Sequence, residues 1–251
     1  MRFKQFFSAA LLVLLAGSGS VSANDEFIYL AVDFDDRTVG ETLGTGGAEN
    51  GEPILIYSGL EALIVQNEPG DNVLRVERAD PTSTSSKTIR WELLDDAEIT
   101  SGVVAFTFRL VPPALDNYTV YIREQGGSAK TFLSLNFTTS GTIKAVDAAN
   151  TAANPIATGT YVAGTALDLF IEFDMDEGTS AMWVNDIELF SGQEHGISDR
   201  GVGRIMFGFA SGSYPEGTTH YFELDDLEVF GDAPPPNEVF DDGFEQPILS
   251  E

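Results

Sequence analysis

Short runs of polar–apolar alternation recur from Phe27 to Phe230, and they leave almost no room for helices. Thr88–Leu93 (TIRWEL) and Val104–Leu110 (VAFTFRL) alternate strictly. In Tyr118–Arg123 the period puts Tyr118, Val120 and Ile122 on one face, and Thr119, Tyr121 and Arg123 on the other. Phe27–Phe34, Val73–Arg78, Lys130–Phe137, Leu167–Met175, Arg204–Ala210 and His220–Phe230 complete the clearest set of strands. No window carries a capped i, i+3, i+4, i+7 stripe. Asp147–Ala153 is Ala-rich but lacks an apolar face, so it reads as a loop. Gly44–Gly51 and Gly126–Ser128 are flexible breaks, and Asp176–Gly178 and Asn185–Asp186 read as tight hairpin turns. Roughly a dozen short strands at close spacing predict an all-β sandwich or barrel.

The ends of the chain differ from its middle. Arg2 and Lys4 precede an apolar core, Phe6–Ala16, and a small-residue exit at Val21–Ala23. This is the layout of a secretory signal peptide, so residues 1–23 are expected to be removed and the protein exported. The apolar run is shorter than the ~20 residues that span a bilayer, and no later segment is apolar enough to cross one. Residues 24–231 then form one domain. Residues 232–251 are a linker (Asp232–Asn237, with three successive prolines) and a short acidic tail.

The chain has no cysteine, so neither disulfides nor thiol chemistry contribute. Thirteen basic residues face 40 acidic ones, for a net charge of −27. Such a surface repels phosphate backbones and anionic lipid, which argues against nucleic acid as a partner, and it attracts cations.

The order of features resembles the concanavalin-like (laminin-G-like) family of two-sheet antiparallel jelly-roll β-sandwiches. The features that carry the resemblance are an opening strand ending at Phe34-Asp35, the stretch Asp168–Asp174, the hairpin Met182–Asp186 and the closing strand Phe222–Val229. It covers about Glu26 to Gly231. It implies that the first and last strands lie side by side, and that a sheet face is available to a glycan. The tail Phe240–Glu245 is similar to an ending found on exported bacterial proteins.

Glu223-x-Asp225-x-x-Glu228 resembles the catalytic strand of laminarinase-type glycoside hydrolases. There one Glu is the nucleophile, the other the acid/base, and the Asp tunes its neighbour. Retention needs the two carboxylates ~5 Å apart. A bulge after Asp225 would bring all three acids to one face. The position of the motif, at the very end of the domain, argues against that role.

If the first and last strands are neighbours, Asp33, Asp35 and Asp36 meet Asp225 and Asp226, and this oxygen-rich end suits a structural Ca²⁺. His195 and His220 lie in no zinc pattern. No nucleophile elbow announces a Ser-His-Asp triad, although counting residues leaves one open. Jelly-roll polysaccharide lyases pair a His and a Tyr with an Arg-rich strand, and Arg75, Arg78 and Arg90 are too scattered in the chain to claim that pattern. For a sugar-stacking surface the candidates are Tyr214, Trp183, Tyr121 and Tyr118, with Tyr214 expected to be exposed in its Ser/Gly-rich loop.

The ranking that follows puts a non-catalytic module binding a polysaccharide or cell-surface glycan first. A laminarinase-type hydrolase and a structural or adhesive surface protein are the alternatives.

Overall fold

The computed structural model describes residues 27–232, apart from 47–51, 81, 94–97, 126–129, 198–199, 213 and 216–217. The signal-peptide and tail expectations therefore lie outside the described residues, as does the break at 126–128.

Two antiparallel sheets stack into a sandwich. The first runs β13 (Ile187–Glu194), β12 (Thr179–Val184), β11 (Leu167–Asp174), β6 (Val103–Val111), β15 (Tyr221–Gly231), β4 (Asp71–Arg78), β3 (Leu60–Glu68). The second runs β10 (Ala157–Thr160), β9 (Thr142–Asp147), β8 (Thr131–Phe137), β7 (Tyr118–Arg123), β14 (Arg204–Phe209), β5 (Lys87–Glu92), β2 (Leu55–Ile56). The opening strand β1 (Phe27–Val32) pairs with the closing strand β15, from Phe27↔Gly231 to Val32↔Leu227, which is the neighbourhood the resemblance implies.

The alternation dictates the core. In β6, Val104, Phe106, Phe108 and Leu110 are all buried, while Thr107 and Arg109 between them point outward. In β7, Tyr118, Val120 and Ile122 are buried in the same way. Aromatic rings fill the space between the sheets, packed edge-to-face as ring quadrupoles favour: Trp91 on Phe207, Phe106 on Phe173, and Tyr118 on Phe222. Each fully buried Phe contributes roughly 2–3 kcal/mol of transfer free energy, which substitutes here for the staples a cysteine-free chain lacks.

The Asn185–Asp186 turn has φ of 50° and 63° at its two central residues, the left-handed pair that matches strand twist in a two-residue hairpin. At the β11–β12 turn, Asp174 Oδ1 accepts from the N–H groups of Asp176 and Glu177, so its carboxylate serves as turn chemistry.

Candidate functional site

Alternation gives each sheet an outer face, and the two faces differ in charge. The outer face of the first sheet carries Glu61, Glu77, Glu223, Asp225, Glu228 and Asp168, offset among the described strand residues by Arg75 and Arg109. Arg75 pairs with Glu223 at 2.7 Å, and Arg109 with Asp168 at 2.8 Å.

The bulge that the acid motif requires is present. β15 pairs with β6 in register through Asp225↔Arg109, slips, and resumes at Glu228↔Thr107, with Asp226 at φ 49°. Glu223, Asp225 and Glu228 thus share the outer face. The same slip divides the opposite edge of β15. Tyr221–Leu224 pair with β4 and Leu227–Gly231 with β1. Asp225 and Asp226 sit in the notch where β1 leaves and β4 enters.

Burial pushes the Asp225 carboxyl up to about 7, with the charges of Asp226, Asp71 and Asp33 adding to the rise. Asp225 Oδ1 and Asn72 Oδ1 are buried acceptors with no donor. Asp35 joins this neighbourhood by accepting the Asn72 N–H at 3.0 Å, and Asp33 accepts the Asp35 N–H at 2.9 Å. Among the described residues, no three acid or imidazole side chains converge closely enough to form a ready metal cage.

The second sheet is the opposite. Its outer rows carry Arg90, Arg123, Arg204 and Lys144, with Glu92 the acid among its outward-facing described strand residues. Cross-strand register places Arg204 directly opposite Arg123 on one side and Glu92 on the other. Glu92 also holds Arg90 at 3.3 Å and accepts from Gln125 Nε2 at 3.1 Å. Burial, together with the like charges of Arg90 and Arg123, lowers the proton affinity of the Arg204 guanidinium. Arg204 Nε donates to the Glu124 carbonyl at 2.6 Å, which fixes its fork in the sheet.

Beside this cluster lies a cleft of about 350 Å³ lined by Tyr57, Ser86, Thr88, Tyr121, Arg123, Thr131 and Met206. That volume is at the small end of ligand sites, which run from ~300 to 1,000 Å³. Tyr57 is 49% exposed at its rim.

Of the sequence-derived aromatic candidates, Tyr121 lines this cleft, on the face its alternation predicts. Trp183 lies on the other sheet, half-buried, with its ring 5.3 Å from that of Phe170. The exposure expected of Tyr214 is corrected: it is 4% exposed, its hydroxyl donates toward the Asn117 and Ala210 carbonyls, and Arg78 lies 4.2 Å above its ring. A loop composition rich in Ser and Gly does not reveal that the tyrosine folds back under the loop to satisfy two carbonyls. Tyr118 is likewise core.

Both histidines are interior. His195 packs on Phe132 and Phe173. His220 Nδ1 meets Asp116 at 2.5 Å, which is half of a triad, but Nε2 faces the Pro215 carbonyl at 3.1 Å rather than a serine hydroxyl. Sequence reading passed over Tyr57, Arg123 and Arg204; the three arginines it judged scattered do lie apart, Arg75 and Arg78 on β4 of the first sheet and Arg90 on β5 of the second. The pairing of β5, β7 and β14 gathers Arg90, Arg123 and Arg204, which lie far apart in the chain.

No family model matches the chain, and neither does any curated protein. Solved structures share its fold at low identity. A carbohydrate esterase from a Shiga toxin-encoding bacteriophage aligns at TM-score 0.53 and 10% identity, over 83% of this chain and 100% of that one. An alginate lyase solved with an alginate trisaccharide aligns at TM-score 0.54 and 10% identity, over 80% and 96%. A sialidase aligns at TM-score 0.51 and 12% identity over 79% of this chain, which spans 19% of the sialidase's length. The chain is thus an all-β, two-sheet antiparallel sandwich, distantly related in fold to several carbohydrate-active enzymes.

Proposed function

We propose that this is an exported carbohydrate-active protein of the concanavalin-like jelly-roll type, whose glycan lies on the outer face of the second sheet, between Tyr57 and Tyr121. The cleft itself carries the reading. It sets Tyr121, Thr88, Thr131 and Arg123 on the sheet beside Tyr57 and Ser86 from the adjoining loops, and this is the mix of flat apolar and directed polar surface that suits a pyranose. Tyr121, on a central strand, is the side chain expected to stack on the sugar.

The solved neighbours whose names carry an activity are an esterase, a lyase and a sialidase, and this supports a catalytic role over a purely non-catalytic module. The test is a polysaccharide panel read for retention and for new chain ends. Tyr121→Ala abolishing retention supports the cleft. Retention that survives Tyr121→Ala refutes it.

A second reading, hydrolysis at β15, is favoured by one observation. The bulge brings Glu223, Asp225 and Glu228 to one face, and burial pushes the Asp225 carboxyl up to about 7, which suits the Asp to tuning the glutamates beside it. Loss of new reducing ends in Glu223→Gln would locate the chemistry there. A structural Ca²⁺ at the notch is proposed from its donor-less oxygens, Asp225 Oδ1 and Asn72 Oδ1, with Asp33, Asp35 and Asp226 adjoining. Calcium raising the melting temperature would support it, and no shift at millimolar calcium would oppose it.

A further inference from the structure

We infer that the outer face of the first sheet binds a second ligand, a cationic glycan built of amino sugars with free amines, along the cross-strand row that runs from Glu228 to Glu188. This surface is separate from the cleft between Tyr57 and Tyr121, and the inference stands or falls without it.

Strand register builds the row. Glu228 lies opposite Thr107, Thr107 opposite Phe170, Phe170 opposite Trp183, and Trp183 opposite Glu188. Five adjacent strands thus set an acid, a hydroxyl, two aromatic rings and an acid in line, over ~19 Å at ~4.8 Å per strand. Phe170 and Trp183 are half-buried and packed edge-to-face at 5.3 Å, which fixes them as a platform for a sugar ring. The next row on the same face reads Phe230, Ala105, Glu172 and Ala181. The neighbours of Glu172 on both adjoining strands are therefore alanines, too short to pair with its carboxylate or to shield it.

Glu172 marks the place for a positive charge. It has no hydrogen bond and no ion pair among the described residues. Burial raises its proton affinity, the Asp174 charge adds to the rise, and no donor or cation offsets them. The arginines of this face are engaged elsewhere, Arg109 with Asp168 at 2.8 Å and Arg75 with Glu223 at 2.7 Å. Beside two aromatic rings, such a carboxylate offers an ammonium both an ion pair and a cation–π contact. The net charge of −27 draws a polycation in from a distance. An amine carried directly on a rigid sugar ring loses no rotamer freedom when it is held, whereas each lysine of a basic peptide does, so the row favours the glycan.

The experiment titrates the full chain with hexamers of glucosamine, N-acetylglucosamine and glucose, and with hexalysine, at about pH 6, where the amines are protonated. The glucosamine hexamer is expected to bind at least ~10-fold more tightly than either neutral hexamer, and to lose most of that margin between about 50 and 500 mM salt. Glu172→Gln and Trp183→Ala are each expected to weaken it ~5- to 10-fold. Glu172→Gln removes a charge that nothing compensates, so this variant should fold at least as well as the parent, and its loss of binding reports the site.

Glucosamine binding unchanged in both variants would overturn the inference, as would equal binding of the acetylated hexamer. Hexalysine binding as tightly as the glucosamine hexamer would overturn the glycan assignment. Loss of glucosamine binding in Tyr121→Ala would put the ligand in the cleft and refute the row.

Discussion

Replacing Asp225 with Asn tests the electrostatics of the notch directly. The side chain is 5% exposed, its Oδ1 has no donor, and the carboxyl is raised from 3.8 to about 7. The folded protein therefore holds a proton that the unfolded chain releases above about pH 4. A raised acid contributes fully below its unfolded value, and that contribution is lost as pH climbs through about 7. At ~1.4 kcal/mol for each tenfold change in proton affinity, carrying the charge at pH 8 costs the fold roughly 4 kcal/mol. Partial solvent screening at the notch reduces this to ~2 kcal/mol. Asn keeps the shape and stays neutral. The two proteins should thus melt alike at pH 4, and in chelator at pH 8 the variant should melt ~4–8 °C higher, as a domain of this size gives 2–4 °C per kcal/mol. Differential scanning calorimetry across that range reads the gap. Equal melting at pH 8, or a less stable variant in chelator, would refute the account of a charge whose burial outweighs its compensation by the Asp226 N–H and Arg109. If the notch recruits calcium, the sign reverses on adding it, because the wild type gains stability and the variant does not.

Three further outcomes follow from single contacts. Tyr214→Phe removes the hydroxyl that serves the Asn117 and Ala210 carbonyls, and should cost ~1–2 kcal/mol in denaturant unfolding with no change in glycan retention. Asp186→Gly places the residue with least strain at φ 63° and should stabilise the hairpin by about 0.5 kcal/mol, read as a small rise in the denaturant midpoint. Phe173→Ala opens a hole between Phe106 and Phe132 and should cost ~3–5 kcal/mol, read in the same way.

The strands were legible wherever a buried face meets a solvated one. Val104–Leu110 and Tyr118–Arg123 alternate because one side of each lies in the core. Leu60–Glu68 is missing from the strands read in the sequence, since Leu, Glu and Ala favour helices, and pairing with β4 over Leu60↔Arg78 to Glu68↔Asp71 makes it a strand. The bulge at Asp226 entered the sequence reading only as the condition for three acids to share a face, because a period of two leaves no other way to put Glu228 beside Asp225. The arginine cluster was not legible. Arg90, Arg123 and Arg204 belong to β5, β7 and β14, and nothing local records that β14 lies between the other two. Tyr214 was misjudged for the same reason, because the carbonyls it serves come partly from Asn117, on a distant segment.

Net charge misleads in a related way. The sum of −27 argues against a polyanionic partner because a distant polymer sees the whole molecule. Beyond about 8–10 Å at ordinary salt that sum is screened, and a docked ligand sees only the groups beside it. On the outer face of the second sheet those groups include Arg90, Arg123 and Arg204, with the carboxylates of Glu92 and Glu98 acting on Arg204. Unlike local charge on the two faces of a sandwich would let such a protein repel anions broadly and hold one locally. Association should then be slow at low salt, where the whole-molecule field opposes approach, and should quicken as moderate salt screens that field, while dissociation also quickens as the arginine contacts weaken. Stopped-flow measurement of both rates against salt would separate the two effects. An association rate that falls with added salt would mean that the basic face, rather than the acidic whole, governs the approach.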